Sequence, residues 1–326
     1  MKKVILFIVL QTICVGAFCQ NPRWTQFGTR IPAVTNLYVC WNTPTHYGVG
    51  SNVPTNMWHS TFGIYQLEGQ RFPSQTISNV MMMGSFSDAD KIEQTDDEIA
   101  FKKDGRSLNV SFSTASIDYE TPERRYSPTN LSQDVPNVEE IPGLVTNFLK
   151  TVGINPTELL PGTNGAPAFD FSEPYTWFYV GSQTITNIPF RAVVLRRGVE
   201  GAQVIGASGH CRIEYGEHGK IVQIQMSWPS LERLKTVPTL GIPAIMQAFR
   251  QGKVIQGFLP TGLEDIDWFK VKSVTVNQAW PCYFAGTTRT LFPFLAMWAT
   301  VETDHGSADI ELDCPIVDES DFKKAD

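Results

Sequence analysis

The five histidines, His46, His59, His210, His218 and His305, follow no HxxxH or related spacing, so no metal site assembles from them by motif. Four are left without an assigned chemistry, and His218, beside Gly219, reads as a turn residue. In Gly206-Ala207-Ser208-Gly209-His210 a serine sits among glycines, but a nucleophile elbow needs G-x-S-x-G between a strand and a helix, and both flanks here are strand-like. The expectation is a bulge or tight strand bend. Acids cluster three times. Asp88, Asp90, Asp96 and Asp97, in the run 85–98, lack the spacing and glycine of a calcium loop and read as a solvated linker. Glu264, Asp265 and Asp267 follow Thr261-Gly262 and suit either the acid and base of a glycosidase or the acidic start of a helical turn. Asp309, Glu311 and Asp313 share one strand face, about 7 Å between neighbours, with Ile310, Leu312 and Cys314 opposite. They suit a cation or, as expected here, an edge strand kept soluble by charge. Nucleophile, base and orienting group do not assemble anywhere, so no catalytic residue, cofactor site or metal ligand is assigned.

Of the six cysteines, Cys14 and Cys19 lie in a leader-like segment, and Cys40, Cys211, Cys282 and Cys314 remain. Residues 1–19 carry two lysines, an apolar run at 4–10 and the ending Ala17-Phe18-Cys19, the pattern of a secretory signal peptide cleaved after Cys19. Bulky Phe18 disfavours the competing reading, a lipid-anchored Cys19. An even cysteine count in an exported chain predicts two disulfides, with Cys282 to Cys314 and Cys40 to Cys211 as the pairing considered; the absence of CxxC argues against zinc. Export to the periplasm or cell exterior is the resulting localisation. A net charge of -7 with dispersed Lys and Arg excludes a phosphate-binding stripe, and with it nucleic acid. Beyond the leader no apolar run reaches the ~20 residues of a membrane span.

The elements that would hold any site follow from periodicity. Residues 188–228 contain three strand-like runs separated by turns at Val199-Glu200-Gly201 and Glu217-His218-Gly219, read as the centre of an antiparallel sheet. Val222, Ile224, Met226 and Trp228 take the core face, Gln223, Gln225 and Ser227 the wet one. A hairpin over 98–113 turns at Lys103-Asp104-Gly105. Ile141, Leu144, Val145, Phe148, Leu149 and Val152 form one helical stripe, with Asn137 and Glu140 before it, Pro142 in its first turn and Gly153 at its end. Ile242, Pro243, Ile245, Met246 and Phe249 repeat that helix at an offset of 101 residues, which predicts a duplicated helix-plus-sheet unit. The fold class expected is α+β: tandem antiparallel sheets, each crossed by one helix. The expected division is a signal peptide at 1–19, an aromatic loop and β region at 20–87, a hairpin-plus-helix unit at 88–170, a central sheet and second helix at 171–252, a last sheet at 253–317 and a charged tail at 318–326.

The segment 191–228, with Gly201, Val204 and Gly206 spaced as G-x-x-V-x-G and Gly219 at the next turn, resembles PepSY-type and FTP-type domains of protease propeptides and extracytoplasmic regulators. The resemblance implies a non-catalytic module that binds or inhibits a protein partner, and no HExxH follows that would make the chain a peptidase. The function expected is an exported binding or regulatory protein offering a sheet face or edge to a protein or peptide, with Trp177 and Tyr179 as contact candidates. The alternative is a carbohydrate-active or other hydrolase using a cleft lined by Trp24, Trp41 or Trp58 and a carboxylate pair.

Overall fold

The computed structural model describes residues 46–49, 60–68, 72–124, 134–162, 167, 169–172, 176–180, 183–206, 208–256, 270–285, 289–304, 306–318 and 320–321. In chain order the strands are β1 (His46–Val49), β2 (Thr61–Glu68), β3 (Lys91–Gln94), β4 (Glu98–Lys103), β5 (Arg106–Ser111), β6 (Ser116–Glu120) and β7 (Phe169–Ser172). There follow β8 (Thr176–Val180), β9 (Gln183–Asn187), β10 (Arg191–Arg196), β11 (Gly198–Val199), β12 (Ala202–Gly206), β13 (His210–Tyr215) and β14 (Ile221–Ser227). The last five are β15 (Ser230–Pro238), β16 (Ile255–Gln256), β17 (Ser273–Ala285), β18 (Thr290–Thr303) and β19 (Gly306–Pro315). Three α-helices accompany them: α1 (Ser74–Gly84), α2 (Ile141–Val152) and α3 (Ile242–Arg250).

The chain forms two compact units that interleave in sequence. Among the described residues, the first holds those of 72–197 and 209–230; the second holds those of 46–68, 198–208 and 231–321. In the first unit eight strands pair in the order β3-β4-β5-β6-β14-β13-β10-β7. The β4–β5 turn places Asp104 and Gly105 at φ 47° and 78°, the two positive values a tight primed hairpin requires. Leu108 and Val110 are buried while Asn109 between them is exposed, so one face packs and the other carries polar groups. Helix α2 begins after a reciprocal cap, Asn137 N to Glu140 Oε2 at 2.8 Å and Glu140 N to Asn137 Oδ1 at 3.0 Å, and ends at Gly153 with φ 76°. Its Ile141, Val145, Phe148, Leu149 and Val152 are buried with Val193, Leu195, Ile213 and Ile224 of the sheet, each worth about 1.5–3 kcal/mol when fully removed from water. Helix α1, in a stretch expected to be loops and strands, shares that core through Val80, with Ile77 and Met81 against it.

The second unit is one nine-stranded sheet that curls into a half-barrel, ordered β11-β12-β17-β18-β19-β16, with β1 on β17 and β2 joining β18 to β15. Strands β17, β18 and β19 run 13, 14 and 10 residues and bury side chains of both parities. A sheet apolar on both faces cannot be served by one stripe of a nine-residue helix, and here it curls and covers itself. Helix α3 adds Ile245 and Phe249 to one side of that core.

The α+β expectation is therefore corrected. The chain is strand-dominated: the first unit has two helices on one face of its sheet, and the second a half-barrel with one short helix. The run 188–228 does not stay in one sheet either. β10, β13 and β14 are antiparallel neighbours in the first unit, whereas β11–β12, which carries Gly201, Val204 and Gly206, pairs with β17 of the second. The chain changes sheet after Gly206, which has φ 98° and lies so close to the Ala285 carbonyl that an added Cβ would be 2.7 Å away. A register shift opposite Tyr215 places Val222 with Phe190 and Ala192 on the second face, while Ile224, Met226 and Trp228 keep the main core.

The disulfide expectation is also corrected. Cys211, Cys282 and Cys314 are buried and joined in no disulfide, and Cys40 lies outside the described residues. Cys282 pairs with Phe294, and Phe294 with Pro315, so Cys282 and Cys314 belong to strands separated by β18 and to opposite faces of the sheet. Two strand spacings, about 9–10 Å, exceed the reach of a disulfide. No described helix is long and apolar enough to cross a membrane.

Candidate functional site

Among the described residues, the second unit gathers its polar chemistry around Glu200. The β11–β12 turn sets Glu200 and Gly201 at φ 51° and 78°; a glutamate in that left-handed region needs compensation. It is found in four donors. Tyr65 Oη and Arg233 Nη2 reach Oε1 at 2.9 and 2.8 Å, while Gly63 N and Tyr283 Oη reach Oε2 at 3.1 and 2.5 Å. Burial opposes ionisation of Glu200, but the bonds from Tyr283, Gly63 N and Tyr65, with the Arg233 charge, outweigh it and hold the carboxyl below its ordinary range. Burial, then the Glu200 carboxylate, pushes the Tyr65 hydroxyl up to about 12 and Tyr283 higher still. A carboxylate holding four donors has little basicity left for catalysis; it acts as a clamp.

What the clamp fixes is β15. Leu231, Arg233, Lys235 and Val237 point along one side: Val237 is buried in the core with Leu231 against it, Arg233 bonds Glu200, and Lys235 Nζ reaches Asp321 Oδ1 at 2.8 Å. Glu232, Leu234 and Thr236 are exposed on the other side. β15 is nine residues long, and among the described residues its only ladder partner is β2. The sequence placed Glu200 in a turn without giving it a chemical role, and β15 was not singled out. The available signal was a glutamate where a two-residue primed turn favours Asn, Asp or Gly.

In the first unit a second polar knot braces the sheet. Arg197 Nη2 meets Glu158 Oε2 at 2.5 Å, Arg197 Nη1 donates to the Pro229 carbonyl, and the guanidinium lies 5.2 Å from the Trp228 ring centroid. Trp228 Nε1 donates to the same Glu158 oxygen at 3.0 Å. Every strong group here has a partner within the fold, so the knot is a brace.

The acid stripe on β19 is not an edge feature. β19 lies between β18 and β16, and Glu311 and Asp313 are 5% and 1% exposed. Asp309 alone is outside, its Oδ1 taking the Thr300 hydroxyl at 2.5 Å. Glu311 and Asp313 share their face with Trp298, Trp280 and Cys282, on neighbouring strands, and burial followed by the charge of Glu311 raises the Asp313 carboxyl well above its ordinary range. Asp313 Oδ1 is enclosed without a hydrogen bond. A raised folded pKa favours the protonated form, so its stabilising share is complete below the unfolded pKa and lost as pH rises. Asp313→Asn is expected to remove that loss, leaving the protein about 1–2 kcal/mol more stable than wild type at pH 7 and nearly unchanged at pH 4. Urea unfolding at the two pH values measures this; an Asn variant weaker than wild type at pH 7 rejects it.

The remaining candidates are dispersed. Asp90 accepts from Ser87 N and Oγ, both at 2.7 Å, and from Lys103 at 3.2 Å, while Asp88 pairs with Lys91. The expected linker is instead a 3-10 turn followed by β3. His218 has φ 55° in its turn, as a turn residue should, and burial pulls His210 down to about 4, neutral at physiological pH. His46 lies in β1. Trp177 and Tyr179 occupy β8, which forms a separate two-stranded ladder with β9, opposite Thr186 and Thr184. Trp24, Trp41, Trp58, His59, Glu264, Asp265, Asp267 and His305 lie outside the described residues. No family model matches the chain, and no curated protein matches it in sequence.

Proposed function

We propose that this chain is an exported, non-catalytic binding protein that accepts an extended segment of a protein partner along the edge of β15 opposite β2. The carrying observation is that edge: nine residues long, with β2 as its only ladder partner among the described residues and its two cations held on one side by Glu200 and Asp321. An added strand gains backbone hydrogen bonds, and alternate side chains set its register. On the exposed side it meets Glu232, Leu234 and Thr236, which favours an apolar residue opposite Leu234 with a basic neighbour toward Glu232. The leader-like residues 1–19 and the resemblance to PepSY-type modules support export and partner binding.

The test is selection of extended peptides from a random display library, followed by calorimetry with the full chain. Leu234→Lys places a charge on the edge, a known device against strand pairing, and is expected to weaken the selected peptide at least about tenfold without changing thermal stability. N-methylation of alternate peptide amides should do the same. Peptides indifferent to both changes overturn the proposal.

A further inference from the structure

Beyond the β15 edge, we infer that the first unit carries a side-chain pocket for a basic peptide segment with one large apolar anchor. Phe72, Ile77, Ile99 and Phe112 floor a cavity of about 240 Å3 between the start of α1 and the β3–β4 turn, and Ser74, Gln94, Thr95 and Asp96 rim it. Ligand-sized clefts begin near ~300 Å3, so this volume suits a single Leu, Met or Phe side chain. Its floor is apolar: Phe72 is buried, and Ile77, Ile99 and Phe112 are partly buried, packed against the core of the unit while lining the cavity.

The charge around the mouth selects the occupant. Glu93, Asp96 and Asp97 are exposed along β3 and its turn, and Glu98 is half-exposed beside them. The turn is fixed by Thr95, whose Oγ1 accepts from Asp97 N at 3.2 Å and Glu98 N at 3.0 Å, so the acids are presented on a rigid rim. Thr95 N and Phe112 N also close it, on the Glu98 and Asp97 carbonyls. Lys91, at the start of β3, is turned to Asp88 and to Gln94. An apolar floor under an acidic rim complements an apolar residue flanked by Lys or Arg, with the rim adding salt-sensitive attraction. β3 itself is a poor docking edge, since it is four residues long, charged and bulged between Lys91 and Glu93. Recognition here is by the pocket.

The experiment uses fluorescein-labelled heptapeptides with the full chain: a central Phe between lysine pairs, the same peptide with central Ala, and the Phe peptide with glutamates in place of lysines. The Phe–Lys peptide is expected to bind, with NMR shifts at Ile77, Ile99 and Phe112. Loss of the anchor should weaken it at least about tenfold and the acidic flanks should abolish it. Asp96→Lys, at an exposed position, should reduce binding and its salt dependence, and Ser74→Trp should fill the mouth and block it. Leu234→Lys should leave it intact, which separates this site from the β15 edge. Equal binding of the Phe and Ala peptides, or shifts that avoid the pocket, overturns the inference. So does binding that survives both Asp96→Lys and Ser74→Trp.

Discussion

Glu158→Ala is expected to destabilise the protein by about 3 kcal/mol, the largest effect of any single polar substitution in the first unit. The reason is asymmetry within the pair. The Arg197 side chain is 6% exposed and that of Glu158 36% exposed, so removing the carboxylate strands a guanidinium that water cannot reach. Burial already pulls the Arg197 pKa down, and Glu158 is what opposes it. Trp228 Nε1 loses its acceptor in the same step. Arg197→Met should cost less, about 1–2 kcal/mol, because it fills the space with an apolar chain and leaves a carboxylate that can turn to solvent while still accepting from Trp228. Glu158→Gln should fall between them, keeping an acceptor but not the charge. Urea unfolding of the three variants gives the order directly. Arg197→Met costing more than Glu158→Ala would show that the cation–π packing on Trp228, 5.2 Å from the guanidinium, outweighs the stranded charge.

What could be read in the sequence follows the strength of local signals. α2 was legible because five of its buried residues recur at helical spacing between a reciprocal cap and a left-handed glycine, so propensity, pattern and ends agree. The β4–β5 hairpin was legible from Asp104-Gly105. α1 was not, because its buried positions are Thr76, Val80 and Gly84, two of them too small or polar to mark a stripe. The exit of β11–β12 into the second sheet left no mark, since strand patterning specifies a face and not the sheet that provides it. The Val222 register shift moved one residue to the other face, which a strict period of two cannot show. β15 was hidden for a related reason: Arg233 and Lys235 take the inner parity, where alternation leads one to expect apolar side chains, and only their partners Glu200 and Asp321 explain them. For β19 a polar stripe was equated with solvent, whereas β16 and β18 flank it and Glu311 and Asp313 are enclosed.

Glu200→Ala is expected to cost about 2–3 kcal/mol and to weaken binding at the β15 edge at the same time. Tyr283, wholly buried as a residue, loses the acceptor for its hydroxyl, and Gly63 N loses its own, each a buried polar group left unmade. Arg233 loses the partner that holds it to the inner side of β15, so the strand's edge becomes less ordered where an added segment must align. Glu200→Gly separates the backbone from the carboxylate: it removes the same four bonds but relaxes the φ of 51°, and should be about 1 kcal/mol less costly than alanine. The sign of the pH dependence distinguishes the clamp from the buried acid on β19. Glu200 is held below its ordinary range, so its contribution is present above the unfolded pKa and fades as pH falls through the folded one. Asp313 is held above its range, so its contribution fades as pH rises. In wild type the two slopes oppose each other. Glu200→Ala should therefore lose stability chiefly at neutral pH and converge on wild type in acid, whereas Asp313→Asn should part from wild type only as the pH climbs. A Glu200→Ala variant within about 0.5 kcal/mol of wild type at pH 7 would mean that water replaces the four donors at no cost, and that the positive φ at Glu200 serves the turn alone.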